Sequence, residues 1–296
     1  MTQPLASDTL THGRVARETV PWWRLPKRWR NPIGIVGAVI VLLTILLALF
    51  APLIAPFSPD SQESDRLLGP SWTNLMGTDE LGRDTFSRIV YGSRVSLQVG
   101  IIAVVIALVA GGLLGMVAGY FGGRLDSWLM RLVDIMFAFP GLVLAIVIAG
   151  LLGASRTNAM IAIGAIYAPA FARVVRGAVL SVMSEPYVDA GRVIGSGSGR
   201  LIRLHVLPNI MAPLIVMTTV YLSSAILSEA ALSFLGLGTQ PPEPSWGGML
   251  SSARTYMELS PWMAIFPGFA IMIVVLGFNF LGDGLRDVLD PRLQER

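Results

Sequence analysis

Few side chains in this sequence can do chemistry, and those present exclude most enzyme classes. There is no cysteine, which removes thiol catalysis, disulfides and cysteine metal sites. The only lysine is Lys27. A P-loop needs its lysine in Gly-x-x-x-x-Gly-Lys-Ser/Thr, where it reaches the terminal phosphates, and Lys27 stands in PWWRLPKRWR. This stretch binds no nucleotide in that way. The histidines, His12 and His205, are too far apart for a His-Glu-x-x-His zinc site. A serine–histidine hydrolase inside a membrane needs its histidine in a polar cavity, and His205 falls at the edge of an apolar run. No catalytic residue, metal site or cofactor is expected in this chain. Two carboxylates remain. Glu229 lies inside an apolar run, and Asp134 lies at the start of another. Charge at the centre of a span costs about 2.5–3.5 kcal/mol on insertion scales, so Glu229 must face protein or water. It could be a helix–helix hydrogen bond, part of a substrate path with Asp134, or a proton site.

A second chemically distinct stretch runs from Ser184 to Pro208, SEPYVDAGRVIGSGSGRLIRLHVLP. It is polar, Gly-rich and Arg-bearing in an otherwise apolar chain. Ser184 can cap a helix, Glu185 suits the positive end of its dipole, and Pro186 fits its first turn. Tyr187, Ala190, Gly191 and Ile194 fall on one face, with Asp189 and Arg192 beside them. Gly195 ends the helix, and Ser196 to Gly199 is expected to stay non-helical. A short helix with one small-residue apolar face is suited to being gripped by another protein.

The elements that carry these residues are membrane helices. Of 296 residues, 53% are hydrophobic and 14% charged, and the mean hydropathy is +0.65, outside the range of soluble domains. Six apolar runs predict six spans in an all-α, polytopic protein: Ile33–Ile54, Leu97–Tyr120, Ile135–Ala154, Asn158–Ala172, Ile210–Leu235 and Pro261–Gly282. The third contains Pro140 and the fourth Pro169. Gly111, Gly115 and Gly119 in the second stand four residues apart, a spacing that lets helix backbones approach closely. Around the spans lie a tail (1–32), an outer loop (57–94), the inner loop (181–208), a second outer loop (238–260) and a short tail (285–296). Together they bound a six-span transmembrane unit at 33–284. Among the 22 basic residues, only Arg66, Arg83, Arg88, Arg94, Arg156 and Arg254 fall on the proposed outer side. That bias places both termini in the cytoplasm. Trp22, Trp23 and Trp29 among Arg24, Lys27, Arg28 and Arg30 suit a lipid interface, and no nucleic-acid partner is expected.

Asp189-Ala190-Gly191, then Gly195, then Leu207-Pro208 resembles the Glu-Ala-Ala motif of permease subunits in ATP-driven importers that use a separate binding protein. The spacing is kept. Asp189 stands for Glu, Gly191 for the second Ala, and His205 takes the Ile place. Gly77-Thr78-Asp79-Glu80-Leu81-Gly82-Arg83-Asp84 is similar to the external segment of the oligopeptide, dipeptide and nickel group of these permeases. So are Glu229 to Gly238, Pro241-Pro242, Ser245-Trp246-Gly247 and the ending Leu285 to Leu293, and the whole looks like the group's "C" type. The resemblance runs from about Pro32 to Leu293. It implies a type I importer permease fold with a cytoplasmic coupling helix, and a second homologous permease as partner. Two P-loop ATPase subunits holding ATP and Mg²⁺ and an extracytoplasmic binding protein complete the expected assembly. It assigns ATPase coupling to Glu185, Tyr187, Asp189, Ala190, Gly191, Arg192, Ile194, Gly195, Leu207 and Pro208, and an external docking rim to Asp79, Arg83, Asp84, Pro241 and Trp246. Di- or oligopeptides are the expected substrates, with nickel or haem complexes as alternatives in the same class. An ion-gradient-driven carrier is the competing class.

Overall fold

The computed structural model describes residues 31–289. The Trp- and Arg-rich stretch expected at the lipid interface and residues 290–296 lie outside that range. The described residues are helical, and their one β feature is an isolated bridge between Thr78 and Asp84. Five helices are long and apolar enough to cross a membrane: α1 (Pro32–Leu49), α3 (Thr85–Phe121), α6 (Arg156–Met183), the continuous rod ending in α9 (Leu207–Phe234), and α11 (Trp262–Leu289). A sixth candidate crossing is a bent pair of helices. Helix α4 (Gly123–Phe137) and α5 (Gly141–Leu152) meet at 91°.

That break corrects the expectation of a continuous third span from Ile135. Pro140 sits between the two helices and biases Phe139 away from helical geometry. Helix α5 has 12 residues, about 18 Å of rise, short of the ~30 Å hydrocarbon core. Asp134 therefore belongs to α4, outside the apolar segment. Other boundaries move for local reasons. The second span starts at Thr85, inside the stretch expected to be loop, because the Asp84 carboxylate accepts from Ser87 N at 2.8 Å and caps the helix. Its 37 residues reach about 55 Å, so α3 extends well beyond a bilayer core. The fourth continues to Met183 through Pro169, and α2 (Ala51–Ile54) is a separate turn after α1. The loop 238–260 contains α10 (Trp246–Tyr256), capped by Ser245, which accepts from Gly248 N at 3.1 Å.

Packing centres on α3 against α6. The four-residue glycine spacing forms this seam. A Cβ on Gly111 would lie 2.1 Å from Ala168 O, and one on Gly115 2.3 Å from Ala172 O. Phe171, Val175 and Val179 fill the positions between. Small residues thus bring the two backbones together, where dispersion replaces a hydrophobic driving force that lipid does not supply. Helix α1 lies on α11 through Gly34 against Gly284. At one end of the bundle, Asn31 Nδ2 donates to Asp287 Oδ2 at 2.6 Å, which brings the first and last described turns together. We call this the terminus-bearing end. The opposite end is capped by the loop 55–84, the start of α3, and α10.

Candidate functional site

The polar stretch at the terminus-bearing end folds as α7 (Pro186–Val193), followed by α8 (Ser198–Leu201) and a π turn, Ile202–Val206, that runs straight into α9. Ser184 does not cap α7. It closes α6, with its N–H donating to Leu180 O at 3.2 Å and its hydroxyl to Ser181 O at 2.8 Å, and Glu185 takes the N-cap position without a side-chain bond. Gly195 does end the helix. Its φ is +79°, Ser196 N donates to Gly191 O and Gly195 N to Arg192 O, both at 3.0 Å. This pair of bonds is a Schellman closure, and a left-handed residue there is why glycine is required. Helix resumes at Ser198, so the non-helical gap is shorter than the expected Ser196 to Gly199.

The face presented outward differs from the expected one. Val188 and Gly191 turn inward, Gly191 against Leu201, whose Cδ2 would be 2.9 Å from a Cβ there. Tyr187 is half-exposed, stacks near His205 with ring centroids 5.7 Å apart, and accepts from Asn209 Nδ2 at 3.4 Å. Glu185, Asp189, Ala190 and Arg192 are exposed, with Arg192 Nη1 2.9 Å from Asp189 Oδ1. At the helix end Val193 and Ile194 are 87% and 81% exposed. Two solvent-facing aliphatics on a rigid, closed turn are the most prominent apolar feature of this element. Val193 was not singled out from sequence, because helical spacing groups residues into faces without saying which face points out. Leu207 and Pro208 open α9 on the same side and are also exposed.

Glu229 is 0% exposed. Ser96 Oγ donates to its Oε2 at 3.1 Å, and Ser233 Oγ to its Oε1 at 2.7 Å. Fully enclosed, it clamps α9 to α3, which is the helix–helix hydrogen bond among its three expected roles. Asp134 pairs with Arg173 at 2.8 Å on an exposed surface, and the Arg173 guanidinium lies 4.2 Å over the Phe137 ring. Arg173 and Phe137 in turn edge a cavity of about 780 Å³. The α9 wall of that cavity carries Asn209, Pro213, Met217 and Tyr221. Its size suits a small peptide or cofactor-sized solute. The sequence offered no cue to this set except their place on two spans.

At the opposite end, the residues expected to form an exposed rim are mostly interior. Asp79, Arg83, Asp84 and Trp246 are 6%, 7%, 3% and 1% exposed. The Asp79 carboxylate accepts from Leu81 N, Arg83 N and Arg83 Nε at 2.9, 2.9 and 2.6 Å. Asp84 accepts from Asn74 Nδ2 at 3.0 Å besides capping α3. The Trp246 indole N–H donates to Ile89 O at 3.0 Å, tying α10 to α3. These groups build the cap. Of the expected rim only Pro241 lies on the outer surface, beside Pro242 and Glu243, with Arg156 2.5 Å from Glu243; the most exposed side chain there is Trp72, at 98%.

Comparison with known proteins identifies this architecture. Residues 111–295 match the family described as binding-protein-dependent transport system inner membrane component. Residues 22–70 match the N-terminal transmembrane domain of oligopeptide transport permease C. The chain is 49% identical to the dipeptide transport system permease protein DppC of Alkalihalophilus pseudofirmus, over 93% of this chain and 91% of that protein. It is 49% identical to the di/tripeptide transport system permease protein DppC of Pseudomonas aeruginosa, over 98% and 97%. It is 41% identical to the glutathione transport system permease protein GsiD of Pectobacterium atrosepticum, over 93% and 92%. Its fold is also that of a chain of the MetNI methionine ABC transporter in inward-facing conformations, with TM-score 0.57, 18% identity, and coverage of 69% of this chain and 97% of that one. The fold is thus that of a type I ABC importer permease. This chain belongs to the binding-protein-dependent transport system inner membrane component family, as a multi-pass inner-membrane permease of the dipeptide and oligopeptide "C" kind.

Proposed function

We propose that this chain forms, with a second permease, the membrane path of an ATP-driven importer of di- or oligopeptides. Relatives named for dipeptides, di/tripeptides and glutathione support a short-peptide cargo, since glutathione is itself a tripeptide. In this reading the terminus-bearing end faces the cytoplasm, as the arginine distribution favours. Two ATPase subunits hold ATP and Mg²⁺ there, and a binding protein delivers peptide to the opposite end.

The observation that carries the reading is α7. It is short, closed by a Schellman turn, buried on one face and exposed at Val193 and Ile194. It also joins directly to α6 and through the π turn to α9. Movement of a partner groove around Val193 and Ile194 is thereby passed to two spans at once. No covalent step is assigned to this chain.

The test is isolation of the tagged chain from native membranes in mild detergent, followed by mass spectrometry and uptake of labelled di- and tripeptides. A co-purifying P-loop ATPase and a second permease, with uptake that survives an uncoupler at constant ATP, are expected. A lone chain in lipid nanodiscs and uptake that collapses with the uncoupler would transfer the assignment to an ion-driven carrier.

A further inference from the structure

Helix α4, at the terminus-bearing end, suits neither bulk water nor hydrocarbon. Its 15 residues include Arg124, Asp126, Arg131 and Asp134, too many charges for the core of a bilayer. Yet Leu125, Trp128, Leu132 and Ile135 recur at helical spacing as one stripe, with exposures between 45% and 69%. An open apolar stripe on a charged helix belongs at the boundary between headgroups and acyl chains.

The other faces of α4 are accounted for. One carries Val133, which is buried, and is fastened to α6. Arg176 donates to both Asp126 oxygens at 2.5 and 2.6 Å, and Arg173 donates to Asp134 at 2.8 Å. The other carries Arg124, Ser127 and Arg131, all exposed. Because α6 takes up both carboxylates, the unpaired charge left on α4 is positive only. Among the described residues, Arg124 and Arg131 are in no ion pair. The Arg131 guanidinium stands 5.7 Å from the centre of the Trp128 ring, joining the basic face to the apolar stripe. Tryptophan and arginine together are the side chains that favour the interfacial layer.

The setting of α4 agrees with its composition. Gly122 and Gly123, at φ +63° and +60°, turn the chain out of α3, and α4 meets α5 at 91°. Asp126 and Asp134 are about 12 Å apart along α4, while their partners are about 4.5 Å apart along α6. Helix α4 therefore crosses α6 and does not run beside it. Arg173 and Arg176 stand about 26 and 30 Å along α6 from Arg156, which pairs with Glu243 in the outer loop. The crossing thus falls about one hydrocarbon thickness from the polar groups of the opposite end.

We propose that α4 is an interfacial helix that binds anionic phospholipid, its apolar stripe against the upper acyl chains and lipid phosphates on Arg124 and Arg131. One lipid molecule supplies both complements, negative charge for the arginines and hydrocarbon for the stripe. Contact with the leaflet then reaches α6 through Asp126–Arg176 and Asp134–Arg173, near the end of α6 that leads into α7. The inference does not depend on what is transported.

The chain has no cysteine, so a single introduced one carries a label without background. Leu132→Cys on the stripe and Ser127→Cys on the basic face are each spin-labelled in the full chain, isolated with its native partners. The proteins are reconstituted in nanodiscs of phosphatidylcholine with phosphatidylglycerol. Oxygen, which concentrates in lipid, should broaden the signal at 132 more than a neutral water-soluble nickel chelate does. Position 127 should show the reverse order. In a second measurement, a fluorescent label at 132 is quenched by phosphatidylglycerol or phosphatidylcholine spin-labelled near the top of the acyl chain. Phosphatidylglycerol should quench more strongly, and its relative association should fall about fivefold for each of Arg124→Gln and Arg131→Gln. Elution profile and thermal stability establish that each variant is folded. A label at 132 shielded from both oxygen and nickel would mean that the partner permease covers the stripe, and overturns the proposal. Greater access for nickel than for oxygen at 132 overturns it as well, since the stripe then faces water. Equal quenching by the two lipids, or a preference that survives both arginine substitutions, overturns the binding of anionic lipid.

Discussion

The glycine seam between α3 and α6 permits a test in which the control residue stands next to the target. Gly111 and Gly115 face α6, whereas Gly112, on the same helix, has nothing within 4 Å of a built Cβ. A methyl at Gly115 would meet Ala172 O at 2.3 Å and Val175 Cβ at 2.9 Å. The first obstacle is backbone and cannot rotate away. Ordinary carbon–oxygen contact is about 3.3–3.6 Å, so the helices must part by roughly 1 Å. A gap of that size forfeits a quarter to a half of each contact's ~0.1–0.2 kcal/mol. Over some tens of atom pairs along the seam this reaches about 2 kcal/mol, within the usual 1–3 kcal/mol of overpacking. Alanine's better helix propensity returns at most about 1 kcal/mol. Gly115→Ala should therefore lose about 1–2 kcal/mol, read as a fall of several degrees in apparent Tm. Gly111→Ala should behave alike. The pair should cost less than the sum, because one helix displacement relieves both clashes. Gly112→Ala should be neutral or slightly stabilising. The assay is thermal unfolding of purified protein in mild detergent, followed by loss of monodisperse elution. A Gly115→Ala protein as stable as the parent, beside a destabilised Gly112→Ala, would refute the seam.

Three further outcomes are expected. Gly195→Ala places a side chain at φ +79° in open space, so the penalty is conformational, about 1 kcal/mol, and confined to the end of α7. Membrane insertion and Tm should hold while transport-coupled ATP use drops, and normal coupling would argue against the Schellman turn as a working part. Glu229→Gln should keep Ser233 as donor to its amide oxygen, reverse the other bond so that its Nε2 donates to Ser96 Oγ, and retain uptake, whereas Glu229→Ala should lose about 2 kcal/mol of stability through two orphaned hydroxyls and a void. A folded Glu229→Gln protein without uptake would instead revive the proton-site role. Trp72→Ala removes an indole that buries almost nothing in this chain, so stability should not change. Binding-protein-stimulated uptake should need about tenfold more binding protein, as for an interface anchor, and an unchanged dependence would release Trp72 from that role.

What the sequence could disclose depended on whether the relevant physics is local. The four-residue glycine spacing is visible directly, and so is the Gly195 stop, because each reflects one helix's own geometry. Hydropathy, however, reports apolar content and not helical extent. It began the second span at Leu97, while the Asp84 cap starts the helix at Thr85 with Arg88 and Arg94 already inside it. Pro140 was visible too, but a proline inside an apolar run reads equally as a tolerated kink or as a corner, and only packing against α6 decides for the corner. The cap residues show the opposite limit. Charges among glycines and prolines read as an exposed rim, yet Asp79 and Arg83 satisfy each other and the turn between them, and Trp246 reaches across the chain to Ile89. No window of sequence contains that partner. The cavity wall of Asn209, Met217 and Tyr221 is invisible for the same reason.

The seam also bears on how a push at α7 could reach the far end of the molecule. Only Ser184 separates the end of α6 at Met183 from Glu185, the N-cap of α7, so the two are joined without slack. From there α6 is locked to α3 along close backbone contacts from Gly164 against Ile106 to Gly119 against Val179. Helix α3 then continues unbroken to Asp84, inside the cap. The other column leaving this region runs through the π turn at Ile202–Val206 and past Pro213, both places where a helix's hydrogen-bond ladder is interrupted. Helix α6 has an interruption of its own at Pro169, but its close contacts with α3 run on both sides of that point, so this pair transmits displacement better than the column with two. On the import reading, then, α6 and α3 carry motion from the ATPase-facing helix to the cap, and α9, which forms half of the cavity wall, is the column free to bend. The destabilised Gly115→Ala protein is for that reason expected to lose coupling at temperatures where it is still folded, because parting the seam loosens the rigid column before it unfolds the bundle.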